Sequence, residues 1–385
     1  MLVDRPLTWR HARADTSNFD RGLVPVEADA ALDLRALRSA SAYGLVAMAC
    51  LVAHNDRLLA PTTVLAPLDR LAAADLAAAG FSFVVHEFLC PVQGRFDELE
   101  AADGARRRAP ALPSWCPDPG GDLVLAVHPV HDRAEEDAAA EAISAGLVDV
   151  ARAQRIDLVL ELLRATGSNR RRHAGTFDAY VAARLVDGGG ELAVEIAVGD
   201  VGVGLRYGLA AVSKCPVADD AEAVDAVLDG RRSPAPRGAA PPPWSAAARG
   251  HPGAEEKDPG SGATPGEAPP ARPAGTARGS APCSAGSAQG PLARLFAQVV
   301  DAGGMVVVRS GTARHGRFAT GTTRAVVPAV RGTIVSCRVP VGRATRLRRV
   351  GPVGTASAAP AHQSRVEPRA AAGTGPCGPA QAAPR

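Results

Sequence analysis

Aromatic residues are scarce. Three Trp, three Tyr and eight Phe make up 4% of 385 residues, although hydrophobic residues reach 46%. A core must therefore be built mainly from Ala, Val and Leu. A surplus of one charge is also missing, since 43 Lys and Arg face 40 Asp and Glu, a net of +3. That balance gives no electrostatic case for direct nucleic-acid binding. The seven cysteines, Cys50, Cys90, Cys116, Cys215, Cys283, Cys337 and Cys377, contain no Cys-x-x-Cys pair. This argues against a disulfide framework or a zinc site, and fits a reduced, cytoplasmic protein. The longest apolar run, about Tyr43 to Ala53, is too short to cross a bilayer. Met1-Leu2-Val3-Asp4-Arg5-Pro6 lacks a signal-peptide core. No membrane partner is expected. The length leaves room for about two domains.

What is present divides by composition. Residues 1–19 read as an N-terminal extension and 20–90 as a small α/β domain. In that domain Leu32-Asp33-Leu34 ends a strand, Gly44 to His54 is helical, and Thr62 to Leu65 is a strand. Leu68 to Ala79 is a second helix closed by Gly80, and Phe81 to Val85 is a further strand. Residues 91–120 are polar and proline-bearing, as a linker would be. A second domain spans 121–342, with a strand at Leu123–Val127 and helices at Ala134–Gly146, Leu147–Thr166, Asp219–Asp229 and Leu292–Asp301. Strands are expected at Met305–Arg309 and Thr333–Val339. Residues 231–290 inside it are dominated by Pro, Gly, Ala and Ser, and cannot bury enough apolar surface to offset chain entropy. They are expected to be disordered, as is the tail from 343 to 385.

The most informative stretch is Glu195 to Leu205. Leu192, Val194, Ile196 and Val198 alternate as in a strand, which then runs into Asp200-Val201-Gly202-Val203-Gly204. A carboxylate at that place can accept a hydrogen bond from a purine amino group, and the glycines leave room for the ring. Asp and Gly also make ordinary turns after strands, and both readings stay open on this segment alone.

Read in order, the segments of the second domain resemble a GHKL ATPase domain, the class of anti-sigma-factor serine kinases and histidine-kinase catalytic domains. Asn169-Arg170-Arg171-Arg172-His173 is similar to the family's N box and Asp200-Val201-Gly202-Val203-Gly204 to its G1 box. Gly303-Gly304-Met305-Val306-Val307-Val308-Arg309-Ser310-Gly311 resembles its closing hairpin, and Gly332-Thr333 with Pro340 its final strand. The resemblance implies an α/β sandwich that binds ATP with Mg²⁺. Asn169 would be the metal ligand, Asp200 the acceptor of the adenine amino group, and Gly202 and Gly204 the close backbone. Thr333 would support the base, with His173 and Gly290 as further nucleotide contacts. The Arg170-Arg171-Arg172 run reads as a solvated face, with phosphate contact as the alternative. Leu32 to Leu45 resembles the strand, loop and Gly-Leu helix start of a STAS-like domain, the fold of anti-sigma-factor antagonists. Partners implied are a sigma factor or an anti-sigma-factor antagonist, with monomer and homodimer both open as the assembly.

Three departures bear on chemistry. Kinase-type relatives carry a Glu four residues before the N-box Asn, where this chain has Ala165; Glu161 lies a further turn back and is the one candidate base. The lid segment reads Gly286-Ser287-Ala288-Gln289-Gly290-Pro291-Leu292, and Pro291 has no N–H to offer a phosphate. The phosphorylated Ser of the STAS-like family aligns with Ala42, between Ser41 and Tyr43. An ATP-binding regulator therefore competes with a scaffold that has lost its chemistry, with a histidine-kinase fragment, for which His131 is the nearest phosphoacceptor, and with a plain α/β protein.

Overall fold

The computed structural model describes residues 5–27, 29–94, 122–173, 179–187, 191–212, 217–230 and 290–343. The linker beyond Gly94, the 231–290 insertion before Gly290 and the tail beyond Arg343 lie outside the described residues. The architecture is mixed α/β, built on two five-stranded sheets.

The first sheet begins earlier than the pattern suggests. β1 (Leu7–Arg10) and the two-residue β2 (Arg13–Ala14) fall within the expected extension. A 3-10 turn at Phe19–Gly22 leads to β3 (Leu23–Pro25), β4 (Ala31–Asp33) and β5 (Ser39–Ala40). Helix α1 (Ala42–Arg57) follows, with Ser41 as its N-cap accepting from the Gly44 amide. Then come β6 (Thr63–Leu65), α2 (Arg70–Ala78), α3 (Phe81–Glu87) and β7 (Val92–Gln93). The sheet order is β3-β1-β4-β6-β7, parallel except for the β1–β3 pair. Phe81–Val85 is thus helix and not strand. Gly80 turns the chain at φ 77, and Phe81, Val84 and Val85 are then buried at helical spacing. The missing strand is supplied by Val92–Gln93, at the start of the stretch read as a linker.

The second sheet comprises β8 (Leu123–Pro129), β9 (Ala179–Asp187), β10 (Glu191–Asp200), β11 (Met305–Phe318) and β12 (Gly321–Arg343), antiparallel throughout in the order β11-β12-β10-β9-β8. Helices α4 (Arg133–Leu147), α5 (Ala153–His173), α6 (Gly204–Val212), α7 (Asp220–Leu228) and α8 (Pro291–Asp301) complete it. Apolar alternation fixes the two faces. Val194, Ile196, Val308, Val335 and Val339 share one core with Ile143, Leu163, Val224 and Phe296 from the helices.

The opposite face is not open to solvent. Tyr180, Ala182, Ala197 and Ile334 join a second core with Trp9, Leu32, Val64 and the apolar residues of α1 from Ala42 to Ala53. Every residue from Ala42 to Asn55 is buried, as expected of a helix that is apolar all round. Two glycines set its depth. A β-carbon on Gly199 of β10 would fall 2.6 Å from Val46 Cγ1, and one on Gly44 would fall 1.9 Å from the Ala14 carbonyl oxygen. The two sequence regions therefore pack around one shared helix, and the described residues belong to a single compact unit.

Polar anchors cross the same face. Arg309 Nε donates to Asp20 at 2.8 Å, Arg184 pairs with Asp75, and Glu195 accepts from the Tyr43 amide at 3.0 Å. Cys50, Cys90 and Cys337 are free and buried. Among the described residues no helix is long and apolar enough to cross a membrane.

Candidate functional site

Asp200 is the next residue in the alternation Val194, Ile196, Val198, so the strand points its carboxylate at the core face. It is 7% exposed. Burial pushes its pKa from 3.8 up to about 6, against the lowering effect of the Gly202 amide, the Arg170 charge, the Thr333 backbone and the Arg57 charge. The Gly202 N–H donates to Asp200 Oδ1 at 2.8 Å. No arginine or lysine forms an ion pair with this buried acid among the described residues. A carboxylate held in that condition is costly to the fold, and such groups concentrate at functional sites.

Four devices hold the loop after Asp200. Asp200 pairs in register with Thr333, and Gly332 before it has φ +90. Gly204 opens α6 at φ +78. Ser310 of β11 binds both, with its Oγ accepting from the Leu205 amide at 2.8 Å and donating to the Gly332 carbonyl at 3.2 Å. From the other side of the sheet, Arg57 at the end of α1 donates to the Val201 carbonyl at 2.9 Å.

Helix α5 faces this loop. It runs unbroken through Ala165-Thr166-Gly167-Ser168, a stretch with poor helix propensity, because tertiary contacts hold it there. The Thr166 hydroxyl donates to the Leu162 carbonyl at 2.7 Å. Gly167 lets α4 approach: a β-carbon there would fall 2.4 Å from Glu136 Oε1. Glu136 is buried and pairs with Arg170 at 3.0 Å and with Arg171. Arg170 also donates to the Val130 carbonyl at 2.6 Å.

The result is a recess between α5 and the ends of β10 and β12. It is tight, with a cavity volume of about 30 Å³, and its lining contains Asn169, Asp200, Gly204 and Thr333. Four residues from three separated segments, singled out by motif, thus meet at one place. Thr166, Arg170, Val198, Leu205 and Val335 complete the lining.

Other expected residues are elsewhere. Gly202 caps Asp200 without lining the recess. Glu161 is exposed on α5, two turns from Asn169, and does not reach the recess. Gly290 is the N-cap of α8, with its amide 3.4 Å from the Gly230 carbonyl oxygen, and is not part of the lining either. α5 does extend to His173, whose side chain lies outside the described residues, as do the Arg172 side chain and lid residues 286–289. The reading of Arg170 as solvated is overturned: it is 4% exposed, because Glu136 and the Val130 carbonyl give its charge buried partners.

Ser310 and Arg57 were not assigned a role from sequence. Ser310 sits inside the Gly303–Gly311 motif, which was a usable signal. Arg57 carried none, because only the packing of α1 on β10 brings it near Val201.

Among the described residues no cluster of three His, Cys, Asp or Glu side chains could hold a metal alone. Asn169 offers one hard oxygen, a donor set that suits Mg²⁺ sharing its remaining positions with phosphate and water. The chain matches no protein family, no curated protein and no solved structure.

Proposed function

We propose that the recess binds MgATP and that the protein is an ATP-binding regulator, akin to anti-sigma-factor serine kinases, acting in signalling or transcription control. The observation that carries this reading is the meeting of Asn169, Asp200, Gly204 and Thr333 in one recess. The Asp200 carboxylate accepts the adenine amino group, and its buried charge strengthens that bond. Val198, Leu205 and Val335 supply apolar contact for the ring. Gly204 lets the backbone come close, and Thr333 supports the base. Asn169 holds Mg²⁺ through its amide oxygen, and the ion carries the phosphates.

A second reading concerns catalysis, and Glu136 favours it. Ala165 provides no base, and Glu161 is exposed and does not line the recess. Glu136, the carboxylate packed on α5, is committed to Arg170 and Arg171. Among the described residues that line the recess, no carboxylate or imidazole other than Asp200 is left to activate an attacking hydroxyl. The protein then works as a nucleotide-bound scaffold, through contacts with a partner such as a sigma factor or an anti-sigma-factor antagonist.

Equilibrium dialysis with labelled ATP and GTP tests the base assignment. ATP should bind more tightly, because guanine presents a carbonyl oxygen where adenine presents the amino group that Asp200 accepts. Equal affinity would remove the adenine assignment. Phosphate release at the rate of buffer alone is the outcome for the scaffold reading, and turnover abolished by Asn169→Ala would overturn it.

A further inference from the structure

A second crevice lies on the other side of the sheet, between the 15–21 loop and the β11–β12 hairpin. It has a volume of about 450 Å³. The paired strands β11 and β12 line it with apolar Met305, Val307 and Phe318 beside Arg314 and Arg338, and the 15–21 loop adds Arg21. Hydroxyl groups of Thr16, Ser17 and Thr323 stand around it.

The acids nearby are already committed. Asp15 accepts the amides of Ser17 and Asn18 at 2.9 Å and the Asn18 side chain. Asp20 is shared between Arg309 and Arg314, each at 2.8 Å. Glu195 takes Arg338 at 3.0 Å and the Tyr43 amide. Counting Arg21, Arg309, Arg314 and Arg338 against Asp15, Asp20 and Glu195, four cations face three anions, an excess of one. Arg21 is exposed and is paired with none of them. Arg338 Nε is buried and has no acceptor at all. The Arg338 side chain as a whole is 35% exposed and gives Nη2 to Glu195, which leaves other guanidinium N–H groups for a ligand.

The geometry points to a binding site for a small organic anion, with a carboxylate or phosphate group set among Arg21, Arg314 and Arg338 and an apolar body against Met305, Val307 and Phe318. An oxyanion balances the extra cation, and arginine forks suit its oxygens. The volume is that of a small-ligand pocket. The site is separate from the recess at Asp200 and does not depend on nucleotide binding there.

Ligand-observed NMR titration of the full chain tests it, with benzoate and phenyl phosphate as anionic probes and benzyl alcohol and benzamidine as neutral and cationic controls. At least one anion should bind with a Kd below about 1 mM, and the two arms distinguish carboxylate from phosphate. Arg21→Glu, on the surface, should weaken that binding roughly tenfold or more. Thr323→Trp, also exposed, should block the mouth and abolish it. Binding should persist under saturating MgATP and in Asp200→Asn. Three results would each overturn the site: no binding by either anion, controls that bind as well as the anions, or affinity unchanged in both variants.

Discussion

Gly332 lies directly against the backbone of Asp200. A β-carbon on Gly332 would fall 1.7 Å from the Asp200 carbonyl oxygen, and its φ of +90 disfavours any side chain. Thr333 can stand opposite Asp200 only because residue 332 is glycine. Gly332→Ala should therefore cost about 3 kcal/mol or more and also remove nucleotide binding. Urea unfolding and dialysis measure the two effects. A loss of under 1 kcal/mol (roughly the propensity scale alone) would contradict the close contact.

Asp200→Asn should stabilise the protein without ligand. A folded-state pKa raised from 3.8 to about 6 means that the folded protein holds the proton more tightly than the unfolded chain. The group is therefore favourable below pH 3.8 and loses that contribution as pH rises through about 6. At pH 7.5 the ionised carboxyl costs the fold on the order of 3 kcal/mol, much of which asparagine removes. Urea midpoints at pH 7.5 should rise in the variant, and the gain should shrink toward pH 4. MgATP affinity of the wild type should fall below pH 6 as the carboxylate is protonated.

Asp20 holds the buried Arg309 and the part-buried Arg314. Asp20→Asn leaves both charges without a full partner and should destabilise the fold by about 3–5 kcal/mol. Asp20 belongs to the first sheet's region and Arg309 to the second's, so the loss should appear as one cooperative transition covering both. Two separate transitions would contradict the shared core around α1.

Arg57→Met removes the hydrogen bond to the Val201 carbonyl but keeps the apolar stem. MgATP affinity should fall roughly tenfold, worth about 1.4 kcal/mol, with a smaller change in urea midpoint. An unchanged affinity would separate α1 from the nucleotide loop.

Much of this was legible where one period or one motif decided the outcome. The alternation through Val194, Ile196 and Val198 placed Asp200, and the Gly-Thr pair placed Thr333. The helix at Phe81 was missed because a short apolar run suits strand or helix, and burial of Phe81, Val84 and Val85 on one side decided it. Strand β9 and helix α6 left no clear pattern, since the Ala179–Leu185 strand is buried on both faces. The burial of Arg170 was invisible because Glu136 lies 34 positions away in sequence. The merging of the two regions around α1 was invisible for the same reason, although the all-apolar run from Tyr43 to Ala53 carried a trace of it.

Calorimetric titration of MgATP into the purified full chain, beside Asp200→Asn, tests the central claim most directly. Wild-type protein should bind one MgATP, and the variant should lose more than about 1 kcal/mol of affinity, beyond a neutral hydrogen bond. Equal heats and affinities in the two proteins, or no binding by the wild type, would contradict a nucleotide site built on Asp200.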